Sequence, residues 1–173
     1  MINKKQSWHK LWDEEIRAEW EERNGEWVLV GLEQTRKEKI GQGDDGAERG
    51  KLQRLLDKYQ KGELVNWRKE IAYDLEVTGR GTGFQRAVWR EIDRIPAEES
   101  VTYKQIAQKI GRPRAYRAVG SAVGKNPLPI IVPCHRVLAT NNRLGGFAWG
   151  TEMKKRLLGN EGWEIIGRTV ERK

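Results

Sequence analysis

The chain has 173 residues, a formal net charge of +8, two histidines and a single cysteine. One cysteine excludes an internal disulfide, and one cysteine with two histidines argues against a dedicated zinc site. No apolar run approaches the roughly 20 residues that cross a bilayer, and the N-terminal "MINKKQSWHKLWDEE" lacks the apolar core of a signal peptide, so a reducing, cytoplasmic setting is expected.

The first half reads as a small mixed domain. "EWVLVGLE" (Glu26–Glu33) is a short β-rich run, "GQGDDGAERG" a polar loop, and "KLQRLLDKYQKG" (Lys51–Gly62) a helix stopped by glycine. Four of the eight tryptophans fall before residue 30 and are read as packing residues rather than a binding cage. "VTGRGTG" (Val77–Gly83) reads as a linker. Beyond it the periodicity becomes helical. Thr82 with Gln85 and Thr102 with Gln105 both fit a capping box. The first opens a helix through "FQRAVWREI", with Phe84, Val88 and Ile92 on one stripe; the second opens "YKQIAQKI", which ends at "GRP". A third helix is predicted from about Arg114 to Lys125, stopped by Asn126-Pro127. Helix, glycine-containing turn, helix is a helix-turn-helix outline.

Charge divides unevenly along the chain. Residues 1–80 carry 16 basic and 17 acidic side chains, and residues 81–173 carry 17 and 8. Between Val101 and Thr151 there is no acid, while Lys104, Lys109, Arg112, Arg114, Arg117, Lys125, Arg136 and Arg143 are all present. One-sided charge over so long a segment points to a polyanion, with nucleic acid as the expected partner. In the third helix Ala115, Ala118, Val119, Ala122 and Val123 form an apolar stripe expected to face the core. The opposite side offers Arg117, Gly120, Ser121 and Gly124, with Arg114 nearby. Mid-helix glycine costs on the order of 1 kcal/mol relative to alanine. A smooth face with one projecting arginine therefore suits a narrow groove that a backbone must approach closely.

The single cysteine lies in "IIVPCHRVL" (Ile130–Leu138), next to His135. A free cysteine is often only a small buried hydrophobe. As a nucleophile it must become a thiolate, which needs a base or a positive environment. Side chains of adjacent residues usually point apart, so His135 would act more easily through one water, with an acid to orient its ring. Spacing alone does not select among the eight acids after residue 80.

"NPLPIIVPCHRV" resembles the active-site signature of the O6-alkylguanine-DNA alkyltransferases, and the resemblance extends through "GTGFQRAVWREI", "SVTYKQIAQKIGRPRAYRAVGSAVGKNP" and "RLGGFAWGTEMKKRLLGNEGW", about residues 80–163. The fold it implies is α/β: a small mixed α/β domain, variable in the family, over residues 1–78, then a mainly helical, winged-helix-like DNA-binding and catalytic domain over residues 79–173. By resemblance Cys134 is the alkyl acceptor, His135 the base acting through water, Glu161 its orienting acid and Asn126 the brace of the active-site turn. Tyr103 presses on the phosphate beside the flipped nucleotide and donates a hydrogen bond to the purine. Arg117 fills the gap in the stack, within a DNA-binding face that also takes in Gly120, Ser121, Gly124, Arg114 and Lys125. Val137 and Ala148 present backbone groups to the guanine edge, in a pocket that includes Phe147, Trp149 and Lys154. The implied activity is single-turnover transfer of an alkyl group from O6-alkylguanine in double-stranded DNA, bound through the minor groove by a monomer, without cofactor or metal. O4-methylthymine is a second candidate substrate.

Three positions depart from the family pattern. Phe147 stands where tyrosine is common, Asn160 where many members have histidine, and Trp149 where some relatives have small residues, which narrows the pocket against bulky adducts. Among other classes, the alkyltransferase-like lesion binders lack the acceptor cysteine that is present here. A helix-turn-helix regulator would carry long polar side chains on its second helix. A Cys–His hydrolase would turn over repeatedly.

Overall fold

A computed structural model describes residues 2–35, 46–76 and 80–173. The chain forms two compact units, residues 1–79 and 80–173.

The first unit is a meander of three antiparallel strands, β1 (Lys4–Leu11), β2 (Glu14–Arg23) and β3 (Glu26–Thr35), with helix α1 (Ala47–Gln60) against β1 and a single turn α2 (Trp67–Glu70). Only β3 was expected from the sequence. β1 and β2 are dense in Lys, Glu and Arg, which are poor strand formers, yet β2 alternates from Ile16 to Trp20: Ile16, Ala18 and Trp20 are buried while Arg17 and Glu19 stay half-exposed. Both connections are two-residue hairpin turns with positive φ, Trp12 at +52° in the first and Asn24-Gly25 at +50° and +81° in the second. Of the four early tryptophans, Trp20 is fully buried and Trp8, Trp12 and Trp27 half-buried. α1 begins four residues before the predicted helix: Ala47–Gly50, expected in the loop, form its first turn with Gly46 as N-cap. The remainder of that loop overlaps residues 36–45, outside the described residues. α1 also shields the free edge of β1. The Gln53 side chain donates to the Lys10 carbonyl and accepts from its N–H, and Gln60 accepts from the Trp12 N–H, as a further strand would.

Under the sheet, the Trp20 indole N–H donates to Ser7 Oγ, and Ser7 lies 2.7 Å from His9 Nε2. A neutral imidazole can take the Ser7 hydroxyl proton on Nε2 or donate an N–H there to the second lone pair of the Ser7 oxygen. Burial, joined by the Arg49 charge, lowers the His9 pKa to about 4. A folded-state value below the unfolded one of about 6.5 means that protons bind preferentially to the unfolded chain as pH falls. The unfolding free energy should therefore drop between about pH 6.5 and pH 4, by about 3 kcal/mol at most from this group. Urea titrations followed by tryptophan fluorescence should show that slope, and His9→Gln should flatten it; an unchanged slope in the variant would remove His9 from the account.

The second unit carries the helices α3 (Gly83–Asp93), α4 (Tyr103–Lys109), α5 (Tyr116–Val123) and α6 (Thr151–Asn160), the short strands β4 (Val101–Thr102) and β5 (Val137–Leu138), and the hairpin β6 (Trp163–Ile166) with β7 (Thr169–Arg172). Both predicted capping boxes are present, at Thr82/Gln85 and Thr102/Gln105. Val88 and Ile92 are buried as expected, and Phe84 is half-buried. Val77–Gly79 of the predicted linker fall outside the described residues, and Gly83 already belongs to α3. Gly81, at φ +75°, is required: a Cβ there would stand 2.5 Å from the Trp89 ring. Trp89 in turn donates its indole N–H to the Ala122 carbonyl at 2.8 Å and ties α3 to α5.

α5 is shorter than predicted. Arg114 precedes it and Lys125 follows it, because the chain leaves Pro113 with no side-chain cap and turns again before Asn126. Val119, Ala122 and Val123 are buried, but Ala118, at the margin of the predicted stripe, is exposed. Among the described residues no helix is long and apolar enough to cross a membrane.

Candidate active site

The polypeptide from Asn126 to Arg136 is a sequence of tight turns ending in the 3₁₀ turn Cys134–Arg136. Proline at 127, 129 and 133 removes backbone donors, so regular structure has little to hold it. Asn126, buried, takes over that role: its Nδ2 donates to the Val132 carbonyl at 2.8 Å and its Oδ1 accepts from the Leu128 N–H at 3.0 Å. Two more bonds tighten the turn, Val132 N–H to Leu128 O and Cys134 N–H to Val132 O. Ile130 sits at φ +76°, a conformation that costs a non-glycine residue on the order of 1–3 kcal/mol. The segment tolerates this strain because Leu128, Ile130, Ile131 and Val132 are all buried.

Cys134 is buried. Burial pushes its thiol up to about 11, against the pull of the Asn126 hydrogen bond and the Lys154 charge. At neutral pH the thiol is therefore protonated, and it can attack only if a neighbour takes its proton. His135 is fully buried, and its Nε2 lies 2.9 Å from Glu161 Oε1. Arg136, the next residue, grips the same carboxylate with two bonds of 2.8 Å, Nε to Oε2 and Nη2 to Oε1, and donates Nη1 to the Ile95 carbonyl. Burial opposes charge on Glu161, but His135 and Arg136 outweigh it and hold the carboxyl well below the usual carboxylate range. A carboxylate only accepts, so Nε2 carries the imidazole proton and Nδ1 presents its lone pair. Nδ1 is buried and has no hydrogen-bond partner among the described residues. Burial lowers the His135 pKa despite Glu161, partly because Arg136 offsets the carboxylate charge. The ring is thus a neutral base at physiological pH.

Tyr103, Lys154 and Phe147 close around this turn. The parallel pairing Val101↔Val137 and Thr102↔Leu138 joins the strand leading into α4 to the strand leaving the 3₁₀ turn, and so brings Tyr103 beside Cys134. Burial, then the Cys134 charge, raises the tyrosine pKa, keeping its phenol a donor. Lys154 is fully buried on α6, donates to the carbonyls of Val137 (2.6 Å) and Gly146 (3.2 Å), and is pushed down to about 8 by burial, with Cys134 resisting. The Val137 carbonyl is therefore already engaged on one lone pair. Phe147 meets the His135 ring edge-on at 6.5 Å and Trp149 at 6.3 Å; Ala148 between them is exposed.

On α5, Arg117, Ser121 and Gly124 are exposed and Gly120 half-buried, with Arg114 and Lys125 exposed at either end. The side of Gly120 where a Cβ would stand is packed against the Tyr103 ring, at 3.8 Å. The sequence sets Arg136 among the cations expected to face a polyanion, but the structure buries it, with its guanidinium taken up by the Glu161 carboxylate and the Ile95 carbonyl, so its charge is neutralised inside the protein.

A thiol on a strained, asparagine-held turn, followed by an imidazole whose far nitrogen is fixed by a carboxylate, has the components of a cysteine nucleophile with its base and orienting acid. A family profile described as "6-O-methylguanine DNA methyltransferase, DNA binding domain" matches residues 83–163. The methylated-DNA–protein-cysteine methyltransferase of Methanosarcina barkeri is 46% identical over 105 residues, 61% of this chain and 63% of that relative, so the match spans a little under two thirds of its length. The Shigella flexneri protein of the same name is 38% identical over 168 residues, covering 90% of this chain and 91% of its own. Mycobacterium tuberculosis OGT, solved in complex with DNA, superposes with a TM-score of 0.67 at 35% identity over 84% of this chain and 86% of its own. The O6-methylguanine-DNA methyltransferase of Pyrococcus kodakaraensis shares the fold, with a TM-score of 0.61 at 22% identity over 92% of this chain and 99% of its own. The chain belongs to the methylated-DNA–protein-cysteine methyltransferase family.

Proposed function

We propose that this protein removes alkyl groups from O6-alkylguanine in duplex DNA by transferring them, once per molecule, to the sulfur of Cys134. The observation that carries the reading is the array in which Arg136 and His135 share the Glu161 carboxylate beside a buried, protonated thiol. The thiol proton passes through a water to His135 Nδ1, and Glu161 stabilises the imidazolium on its other side. The Lys154 charge and the Asn126 hydrogen bond stabilise the thiolate. Sulfur attacks the alkyl carbon in line with the C–O6 bond, that bond breaks, and its electron pair leaves with the guanine. The anion takes a hydrogen bond from the Tyr103 phenol and picks up a proton at N1. In net terms S–H and C–O bonds become S–C and N–H bonds, and no cofactor enters. The thioether has no resolving partner in a chain with one cysteine, so the protein is consumed.

A base inside a duplex is out of reach of a buried thiol, so the nucleotide must be flipped out, at a cost of a few kcal/mol. We read α5 as lying in the minor groove, with Arg117 entering the gap, the glycine-serine face admitting the backbone, and Arg114 and Lys125 on phosphates. Backbone groups of Val137 and Ala148 are assigned to the guanine edge, in the pocket closed by Phe147 and Trp149. Residues 79–173 carry this chemistry in a winged-helix-like arrangement, residues 1–78 form the variable domain, and the protein works as a monomer. A reactive free thiol requires a reducing compartment, consistent with the cytoplasm. The same surface would serve a lesion-binding protein or a helix-turn-helix regulator without transfer activity, but Cys134 with its base gives those readings no use for the array.

Intact-mass measurement after incubation with an O6-methylguanine oligonucleotide tests the reading. One methyl in place of the thiol proton, mapped to Cys134, supports it; an unmodified protein that stays bound to the lesion would favour the lesion-binding alternative. Arg117→Ala should slow repair in duplex DNA on the order of a hundredfold, the rate equivalent of losing a few kcal/mol of flipping support, while leaving reaction with free O6-methylguanine base unchanged. Equal losses on both substrates would remove the finger role.

A further inference from the structure

Resting on that reading, we propose that Tyr116 is a second DNA-inserting residue, a stacking platform between the Arg117 finger and the thiol pocket. Tyr116 opens α5 and is 46% exposed, one of four large hydrophobic side chains so exposed among the described residues. It sets an aromatic ring in water beside a face otherwise of glycine and serine with one arginine, within reach of whatever that face binds. The Arg117 guanidinium lies 6.0 Å from the centre of its ring, at the outer limit of a cation–π contact.

Its position on the helix is specific. Residues four apart on a helix are neighbours, which puts Tyr116 directly above Gly120. The side of Gly120 where a Cβ would stand packs against the Tyr103 ring, and Tyr103 lies near enough to Cys134 for a thiolate there to raise the phenol pKa. Tyr116 therefore stands on the side of α5 that leads to the thiol, while Arg117 stands one step around the helix. Helical side chains slant toward the N-terminus, so both project past the first turn, where Arg112 and Arg114 are exposed. An aromatic set among cations is the arrangement that holds single-stranded nucleotides: bases or sugars stack on the ring while the cations hold phosphate. Here the ring would lie against the nucleotide neighbouring the lesion as the damaged one swings toward Tyr103, with Arg117 in the vacated position.

The test compares wild type, Tyr116→Phe and Tyr116→Ala on an O6-methylguanine duplex and on free O6-methylguanine base. Tyr116→Ala should react with the duplex about tenfold more slowly, within the range by which a base–aromatic stack is weakened on truncation. Tyr116→Phe should match wild type, and all three proteins should react equally with the free base. A Tyr116→Ala protein that repairs duplex at the wild-type rate would overturn the stacking role and leave the transfer reading standing, as would a loss shared by both substrates. A wild-type protein that accepts no methyl from either substrate would overturn the transfer reading, and this proposal with it.

Discussion

Cys134→Ala is expected to abolish methyl transfer while leaving affinity for an alkylated duplex within about twofold of wild type. On the proposed reading binding rests on phosphate contacts and the α5 face, and the substitution changes no charge at neutral pH, because burial holds the thiol near 11. It removes one heavy atom from a buried site whose turn is held by Asn126 and backbone hydrogen bonds rather than by sulfur. The variant should therefore form a lasting complex with methylated DNA whose affinity falls with salt as steeply as that of the wild type. Cys134→Ser should be equally inert, since an alcohol is a far weaker nucleophile at neutral pH. Fluorescence anisotropy across a salt series and intact mass measure both halves. Continued methylation would exclude Cys134 as acceptor. A collapse of DNA binding with the thiol would mean that the cysteine holds the turn together.

What the sequence disclosed follows from how local each signal is. Capping boxes at Thr82 and Thr102 involve residues three apart, and both were legible because the chemistry is confined to one helical turn. The α5 stripe was legible in outline, but its boundaries were not, since Arg114 and Lys125 carry no signal that separates a helix end from the turn beyond it. β1 and β2 were not read as strands: "EEIRAEWEERNGEW" is dense in poor strand formers, and only the alternation from Ile16 to Trp20 and the Asn24-Gly25 turn mark a hairpin. In the candidate site, Cys134 and His135 stand together in sequence, and the resemblance supplied Glu161. What no local pattern could show is that Arg136 reaches the same carboxylate, a contact across 25 positions. Nor could it show that Gly120 packs against Tyr103, which only the packing of α4 on α5 decides.

The Arg136 contact gives the second large expectation. Glu161→Gln should slow transfer on the order of a thousandfold and also destabilise the fold by about 3 to 5 kcal/mol, and the two effects have separable causes. The kinetic loss comes from the imidazole. A carboxylate can only accept, which keeps the proton on His135 Nε2 and the lone pair on Nδ1; a carboxamide can donate to Nε2 instead, which moves the proton to Nδ1 and blocks it as a base. Whichever way the amide turns, it carries no charge to stabilise the imidazolium. The stability loss comes from Arg136, whose buried guanidinium is left without its anion. Adding Arg136→Met to Glu161→Gln should then restore part of the stability, because it removes the buried charge that the first substitution left without a partner. The rate should not recover, since nothing in that double variant returns the proton to Nε2. Urea midpoints and single-turnover rates on the four proteins of the cycle decide between these roles. If rate and stability recovered together, Glu161 would be a structural anchor, and the orienting role assigned to it would fall.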